Sequence, residues 1–290
     1  MLPIIGVAIV LVCVFGGYIL AGGKIAVVLA ALPFEFMIIG GAATGALIAG
    51  NSLPVARKAA GGFLKVVRGA KWGKTDYTNL LCLLFQLARL QKQKGNLAIE
   101  GHVEQPGESS IFTNYPRVMK DEEAVTLTSD TLRMLTLDMD NPHHIEDYID
   151  SRLEKQHKES MAPAHALAII ADALPALGIV AAVLGVIKTM ASIDQPPEVL
   201  GHLIASALVG TFLGVFLSYG IVGPIANRLK QIYEEEHKFY SVIRDVLINV
   251  ANGYAPQVAV EVGRGNIPGH IQPTFHEVDE AVNEIPRESG

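Results

Sequence analysis

An acid and a proline interrupt an apolar stretch in the second half of the chain. Residues 171–188 read ADALPALGIVAAVLGVIK, with Asp172 at the start and Pro175 three residues later. A carboxylate within a membrane-spanning helix costs a few kcal/mol to insert and can accept a proton, so it is a functional candidate. Asp172 could also reach interfacial water or cap a neighbouring helix. Both interpretations stay open on the residue alone.

Two prolines, Pro175 and Pro224, indicate flexible points in two different membrane helices. A proline removes one backbone hydrogen bond and kinks a helix. Membrane helices tolerate this because neighbouring groups pair with the freed carbonyl. If these two helices are antiparallel, both prolines lie at a similar depth near one face of the membrane. The pattern favours a hinge between membrane and cytoplasmic parts, although Pro224 also fits a helix end.

Other polar residues within apolar segments have simpler interpretations. Thr44, Thr211 and Ser218 could line an ion path, but most such hydroxyls bond to their own helix backbone. Glu35 follows Pro33 in LPFEFMII. An acid in the first turn of a helix is stabilised by the helix dipole. Glu35 is therefore expected to open a helix, which leaves no acid deep in the first, second or fourth apolar segment.

No pattern in the sequence predicts an enzyme, a metal site or a cofactor. The pair His143-His144, followed by Glu146 and Asp147, matches no strong metal-ligand spacing. There is no phosphate-binding loop and no nucleophile motif with a base. The net charge of −6 argues against a nucleic-acid partner.

Composition and hydropathy indicate a membrane protein. Half of the 290 residues are hydrophobic and only 18% are charged, whereas about a quarter are charged in soluble domains. Four apolar segments, at about 2–21, 34–55, 166–190 and 200–225, are each near the ~20 residues that cross a bilayer. The uncharged N-terminal segment lacks a basic start and a cleavage site, so it is expected to be a retained helix rather than a signal peptide.

Basic residues set the predicted orientation. Those that follow the second and fourth segments are Arg57, Lys58, Lys65, Arg68, Lys71, Lys74, Arg228 and Lys230. The short connection between the third and fourth segments contains Asp194 and Glu198 and no base, and that between the first two contains only Lys24. The positive-inside rule then places residues 56–165 and both termini in the cytoplasm.

The predicted cytoplasmic loop contains amphipathic helices. The stretch YTNLLCLLFQLARLQKQKG has leucines at helical spacing and ends at Gly95. Two further helices are expected near 121–138 and 143–165, and the second of these could run into the third span. Residues 226–252 are expected to extend the fourth span as a polar helix, and the tail after Gly253 is expected to be irregular. Arg89, Lys92 and Glu100 form a charged face that could steer a partner.

Several stretches resemble the MotA family, the A subunits of flagellar motor stators, along essentially the whole chain. They are VFGGYILAGG, GNLAIEGHVEQPGESSIFTNYP, DALPALGIVAAVLGV, LGHLIASALVGTFLGVFLSYGIVGPIA and NGYAPQVAVEVGR. The resemblance implies an all-α integral membrane protein with four transmembrane helices and a helical cytoplasmic domain between the second and third, assembled as a ring. The domains would be 1–55 and 166–225 in the membrane, with 56–165 and 226–290 in the cytoplasm.

The resemblance also implies partners and residue roles. A pentameric ring would surround a MotB dimer that carries the ion-accepting aspartate, and proton flow would turn the ring against the rotor protein FliG. Pro175 and Pro224 would couple ion occupancy to movement, beside Asp172 and Thr211. Lys92 and Glu100 would contact the rotor. Well-known members carry arginine where this chain has Lys92, so Arg89 could share the role.

Three alternatives remain beside a proton-driven, bacterial inner-membrane stator. The first is a sodium-driven stator of the same architecture. The second is an ExbB/TolQ-type energiser, which four spans and the family stretches of the loop disfavour. The third is an unrelated scaffold or small permease, which would need its own intramembrane charge pathway.

Overall fold

The chain is almost entirely helical. The computed structural model describes residues 2–136 and 142–285. Its helices are α1 (Leu2–Leu20), α2 (Ile25–Gly50), α3 (Leu53–Ala60), α4 (Gly62–Arg68), α5 (Lys74–Lys94), α6 (Asn96–Glu104), α7 (Pro116–Met119), α8 (Glu122–Thr136), α9 (Pro142–Met190), α10 (Pro197–Ala251), α11 (Pro256–Gly265) and α12 (Phe275–Asn283). Helices α1, α2, α9 and α10 are long and apolar enough to cross a membrane, which confirms the four predicted spans.

The helices form two compact units. The first contains the residues up to Gly69 together with Ser160–Ile232, and the second contains Ala70–Glu159 together with the residues from Tyr233 onward. The first unit therefore holds α1 to α4 and the apolar parts of α9 and α10.

Apolar side chains join the helices of the first unit. Ile39 and Ala43 of α2 pack with Leu174 and Ala181 of α9 and with Leu213 of α10. A second cluster joins Val28 and Ala31 of α2 to Val209 of α10. The ring of Phe15 in α1 meets those of Phe212 and Phe216 edge-on, with centroids 5.9 and 5.4 Å away. These contacts place α2, α9 and α10 around one core.

Helix α5 lies at the centre of the second unit. All six leucines that gave it an amphipathic pattern are buried, and it ends at Gly95, whose φ of 82° favours glycine. The ring of Trp72 stacks on Phe239 at 3.9 Å. Asp121 accepts a hydrogen bond from the backbone N–H of Ala124 at 2.9 Å and pairs with Lys71 at 2.5 Å, which secures the start of α8. The prediction of a helix that ends at Gly95 is confirmed, but the amphipathic prediction is wrong, because no residue from Leu80 to Leu90 is exposed and the helix is enclosed on all sides.

The second span begins earlier than its sequence pattern indicates. Helix α2 starts at Ile25, and Pro33 lies inside it. The chain turns at Gly22, whose φ is 84°, so the helix can begin soon after. The expectation that Glu35 opens the span is therefore wrong, because Pro33 lies inside α2 and not at its start.

The tail is not irregular. Helix α11 has a proline in its first turn and buries Ala259 and Val260. Helix α12 begins with a capping box, in which Thr274 Oγ1 accepts from the backbone N–H of Glu277 at 3.3 Å and Glu277 Oε2 accepts from that of Thr274 at 2.7 Å. Hydrogen bonds from Lys74 and Thr274 lower the pKa of Glu277 to about 2. The sequence TFHE contained this signal, and the Gly- and Pro-rich composition concealed it.

Candidate functional site

Both candidate hinge prolines lie inside continuous helices. Helix α9 runs from Pro142 to Met190 through Pro163 and Pro175. Helix α10 continues past Pro224 to Ala251, so the interpretation of Pro224 as a helix end is wrong. The charged segment before the apolar part of α9 and the charged segment after the apolar part of α10 belong to the same helices as those spans, as the sequence predicts.

A wide helical turn precedes Pro224. Residues Ser218–Val222 form a π-helical segment, and such turns often occur at functional sites. A Cβ on Gly223 would lie 2.8 Å from the backbone oxygen of Ser218, so the turn requires glycine there. Gly223 and Pro224 together mark a place where the regular hydrogen-bond ladder of α10 changes. Sequence reasoning found the proline but not the turn.

Asp172 and Thr211 lie on different kinds of surface. Asp172 is exposed on α9, whereas Ala171 and Leu174 beside it are buried. Thr211 is half-buried on α10, directly after the buried Gly210. Asp172 thus faces away from the core of its own unit, while Thr211 lies at the edge of that core.

Glycines bring the backbones of α9 and α10 into contact. A Cβ on Gly214 would lie 2.6 Å from the carbonyl oxygen of Leu174 and 2.8 Å from Cα of Gly178. A Cβ on Gly185 would lie 2.5 Å from that of Ala207. Two Gly-x-x-x-Gly motifs lie in membrane helices, Gly41–Gly45 in α2 and Gly210–Gly214 in α10, and the one in α10 therefore serves packing within the chain.

The other motif faces away from the chain. A Cβ on Gly41 or Gly45 of α2 would meet no atom within 4 Å. This face of α2 is open to lipid or to another chain.

Glu35 lies in the interior of the first unit. It is ten positions into α2 and is only 6% exposed. The expectation that no acid lies deep in the second span is therefore wrong. Its position became evident only when the true start of α2 was known.

The candidate rotor-contact residues lie on both sides of Gly95. Lys92, near the end of α5, and Glu100, on α6, are both exposed, and Leu97 between them is 82% exposed. Arg89 is half-buried, with its guanidinium 5.4 Å from the centroid of the Phe85 ring. Lys92 therefore presents its charge outward more fully than Arg89 does.

An apolar groove adjoins Lys92. It has a volume of about 200 Å³. Its other lining residues are Ala88, Gln91, Val250, Gly253, Tyr254 and Pro256. The second unit thus offers a basic side chain next to a surface that could accept an apolar one.

No candidate metal site occurs in the described ranges 2–136 and 142–285. They contain no group of three or more His, Cys, Asp or Glu side chains that could hold an ion. His143 is exposed, and its Nδ1 atom lies 4.0 Å from Oε2 of Glu146, so this pair is a surface contact.

Four helices long and apolar enough to cross a membrane, together with a second helical unit, are typical of a multi-pass membrane protein. Two family models match the chain: Motility protein A N-terminal over residues 4–95, and the MotA/TolQ/ExbB proton channel family over residues 120–241. Motility protein A of Salmonella typhimurium is 40% identical, over 98% of this chain and 96% of its own length. That of Escherichia coli is 39% identical over the same shares. The chain belongs to the motility protein A family.

Solved structures share the fold. The structure of C. jejuni MotAB has a TM-score of 0.72 and 19% identity, covering 92% of this chain and 95% of its own. The flagellar MotAB stator complex of Bacillus subtilis has a TM-score of 0.70 and 24% identity, covering 93% and 97%. By family, this chain is a multi-pass inner-membrane subunit with a flagellar stator proton-channel function, and it is not an enzyme.

Proposed function

We propose that this chain forms a ring, with five copies, around the membrane helices of a MotB dimer and conducts protons together with MotB. The similarity to motility protein A along nearly the whole chain carries the proposal. Two solved structures of the same fold are those of MotAB. The outward-facing apolar residues of α9 and α10 support it, since Ile179, Val183, Ile187 and Leu208 are all about half exposed or more and need a covering surface.

The proposed orientation has both termini in the cytoplasm. The basic residues after the second and fourth spans support it by the positive-inside rule. Residues 70–159 and the chain after Tyr233 would then form the cytoplasmic part that reaches the rotor. The connections at 21–24 and 191–196 would face outward and are short.

The membrane residues proposed to couple ion flow to movement are Asp172, Pro175, Thr211 and Pro224. One charge crossing 100 mV releases about 2.3 kcal/mol, which is enough to shift a helix pair between two packings a few kcal/mol apart. Pro175 weakens the hydrogen-bond ladder of α9, and the π-helical turn with Pro224 changes that of α10. Asp172, on the exposed face, would shape the cytoplasmic mouth rather than carry the proton. The ion is proposed to be the proton, with a sodium-driven stator as the alternative.

Torque is proposed to pass to FliG through Lys92 and Glu100. The two residues carry opposite charges on either side of Gly95, and both are exposed. Lysine keeps the charge but lacks the planar fork of arginine, which suits steering over distance. The half-buried Arg89 would have a secondary role.

Reversing the charge of Glu100 tests this contact. We expect Glu100→Lys to reduce swimming speed by about half or more, since like charges brought together across an interface cost several kcal/mol. A reversal on FliG at the facing residue should restore speed. Swimming would be measured by tracking cells in soft agar and in liquid, with membrane levels of the protein checked by immunoblot.

Glu108→Lys is the matched control, because Glu108 is also an exposed acid of the second unit. It should leave speed unchanged. If Glu100→Lys swims like the wild type, or if no reversal on FliG suppresses its defect, the electrostatic contact is wrong.

A further inference from the structure

One carboxyl oxygen of Glu35 lies in the interior of the first unit without a hydrogen-bond partner among the described residues. The residue is 6% exposed, and its Oε2 atom is fully buried with no hydrogen-bond partner among the described residues. A buried polar atom of this kind requires an explanation, because an unmade hydrogen bond is costly.

The surroundings of Glu35 favour an uncharged carboxyl. On one side is the cluster of Val28, Ala31 and Val209, and on the other is the cluster that contains Ile39 and Ala181. Both are apolar. An isolated carboxylate among such groups costs several kcal/mol, whereas the neutral acid costs much less. The site therefore suits a neutral group that makes a specific contact.

Gly210 of α10 supplies that contact. A Cβ built on Gly210 would lie 2.7 Å from Glu35 Oε2 and 3.1 Å from Cβ of Ala181. The Oε2 atom therefore lies close to the backbone of Gly210, where a Cα–H group can donate a weak hydrogen bond to it. Such Cα–H···O contacts recur at helix–helix interfaces. Glycine at 210 is what allows the carboxyl to approach the backbone of α10.

We infer that Glu35 is a positioning residue, which holds α10 against α2 at Gly210 and thereby fixes the next residue, Thr211. The inference rests on the proposed role of Thr211 in ion coupling. It assigns to Glu35 a neutral contact and not the transport of a proton. The adjoining π-helical segment of α2, Phe36–Gly40, starts directly after Glu35, so the contact also marks where the ladder of α2 changes.

Two substitutions distinguish this positioning role from proton transport. Glu35→Gln keeps a neutral side chain of the same length with an oxygen acceptor, and Glu35→Leu keeps the bulk without one. The position of α10 would be read by cross-linking a cysteine at Val28 to one at Val209 in membranes, with Cys13 and Cys82 replaced by alanine. Swimming speed and membrane level would be measured in the native background.

We expect Glu35→Gln to cross-link and swim like the wild type. Glu35→Leu should cross-link about two- to fivefold more slowly, the range that one Cα–H···O contact supports, and should swim more slowly at an unchanged membrane level. Thr44→Val is the matched control, because the Thr44 hydroxyl donates to the backbone oxygen of Gly40 in its own helix at 2.7 Å. It should change neither measurement.

A wild-type cross-linking rate in Glu35→Leu would overturn the inference. So would a loss of swimming in Glu35→Gln as large as in Glu35→Leu, since that would make Glu35 a proton carrier. A failure of the proposed function gives a different result. If Thr211 has no role in ion coupling, Thr211→Val swims normally, while Glu35→Leu still cross-links more slowly than Glu35→Gln.

Discussion

Gly214→Val is expected to destroy the packing of α9 on α10. A Cβ at this position would lie 2.6 Å from a backbone oxygen and 2.8 Å from a backbone carbon. Neither atom can move as a flexible side chain could, so the two helices must separate. Overpacking in cores costs about 1–3 kcal/mol and occasionally more, and this case is expected at or above the upper end. The membrane level of the protein should fall sharply and swimming should cease.

The matched control is Gly41→Val, which adds the same side chain to a membrane helix in open space. Its membrane level and protease resistance should match the wild type. Equal membrane levels and equal protease resistance for the two variants would contradict the close approach of α9 and α10.

Pro175→Leu is expected to stop torque without preventing insertion. Leucine restores the N–H that proline lacks, so α9 regains a hydrogen bond to the carbonyl of residue 171. The interior-proline penalty of about 3 kcal/mol would be removed from the straight form. The second packing of the helix pair, which depends on the missing hydrogen bond at Pro175, would become about a hundredfold less populated. Swimming speed should fall to near zero while membrane level and association with MotB stay at wild-type values.

The two internal prolines of α9 provide a control. Pro163→Ala and Pro175→Ala make the same chemical change at different points of the helix. Only the second should abolish torque. A normal swimming speed in Pro175→Leu or Pro175→Ala, with the protein inserted, would show that Pro175 is not a hinge.

The helices with strong local patterns could be predicted from the sequence. Leucine spacing identified α5, and Gly95 identified its end. Apolar length identified the four spans. These features depend on periodicity and capping, which a single sequence displays.

Features that depend on contacts between helices could not be predicted. Proline commonly lies in the first turn of a helix. Pro33 instead lies inside α2, because the turn at Gly22 allows α2 to begin at Ile25. With the helix start predicted at Pro33, Glu35 is expected at the end of the second span and not in its interior. The two Gly-x-x-x-Gly motifs look alike in sequence, and only the packed helices show that Gly214 faces α9 while Gly41 faces outward.

The central claim is that inward proton flow through this subunit and MotB drives rotation. Its most direct test is the swimming speed of cells that depend on this stator, measured in sodium-free buffer with and without a protonophore. We expect full speed without sodium and an immediate stop when the protonophore is added. Cells that stop in sodium-free buffer, yet keep swimming with sodium and the protonophore, would contradict it and identify a sodium-driven stator.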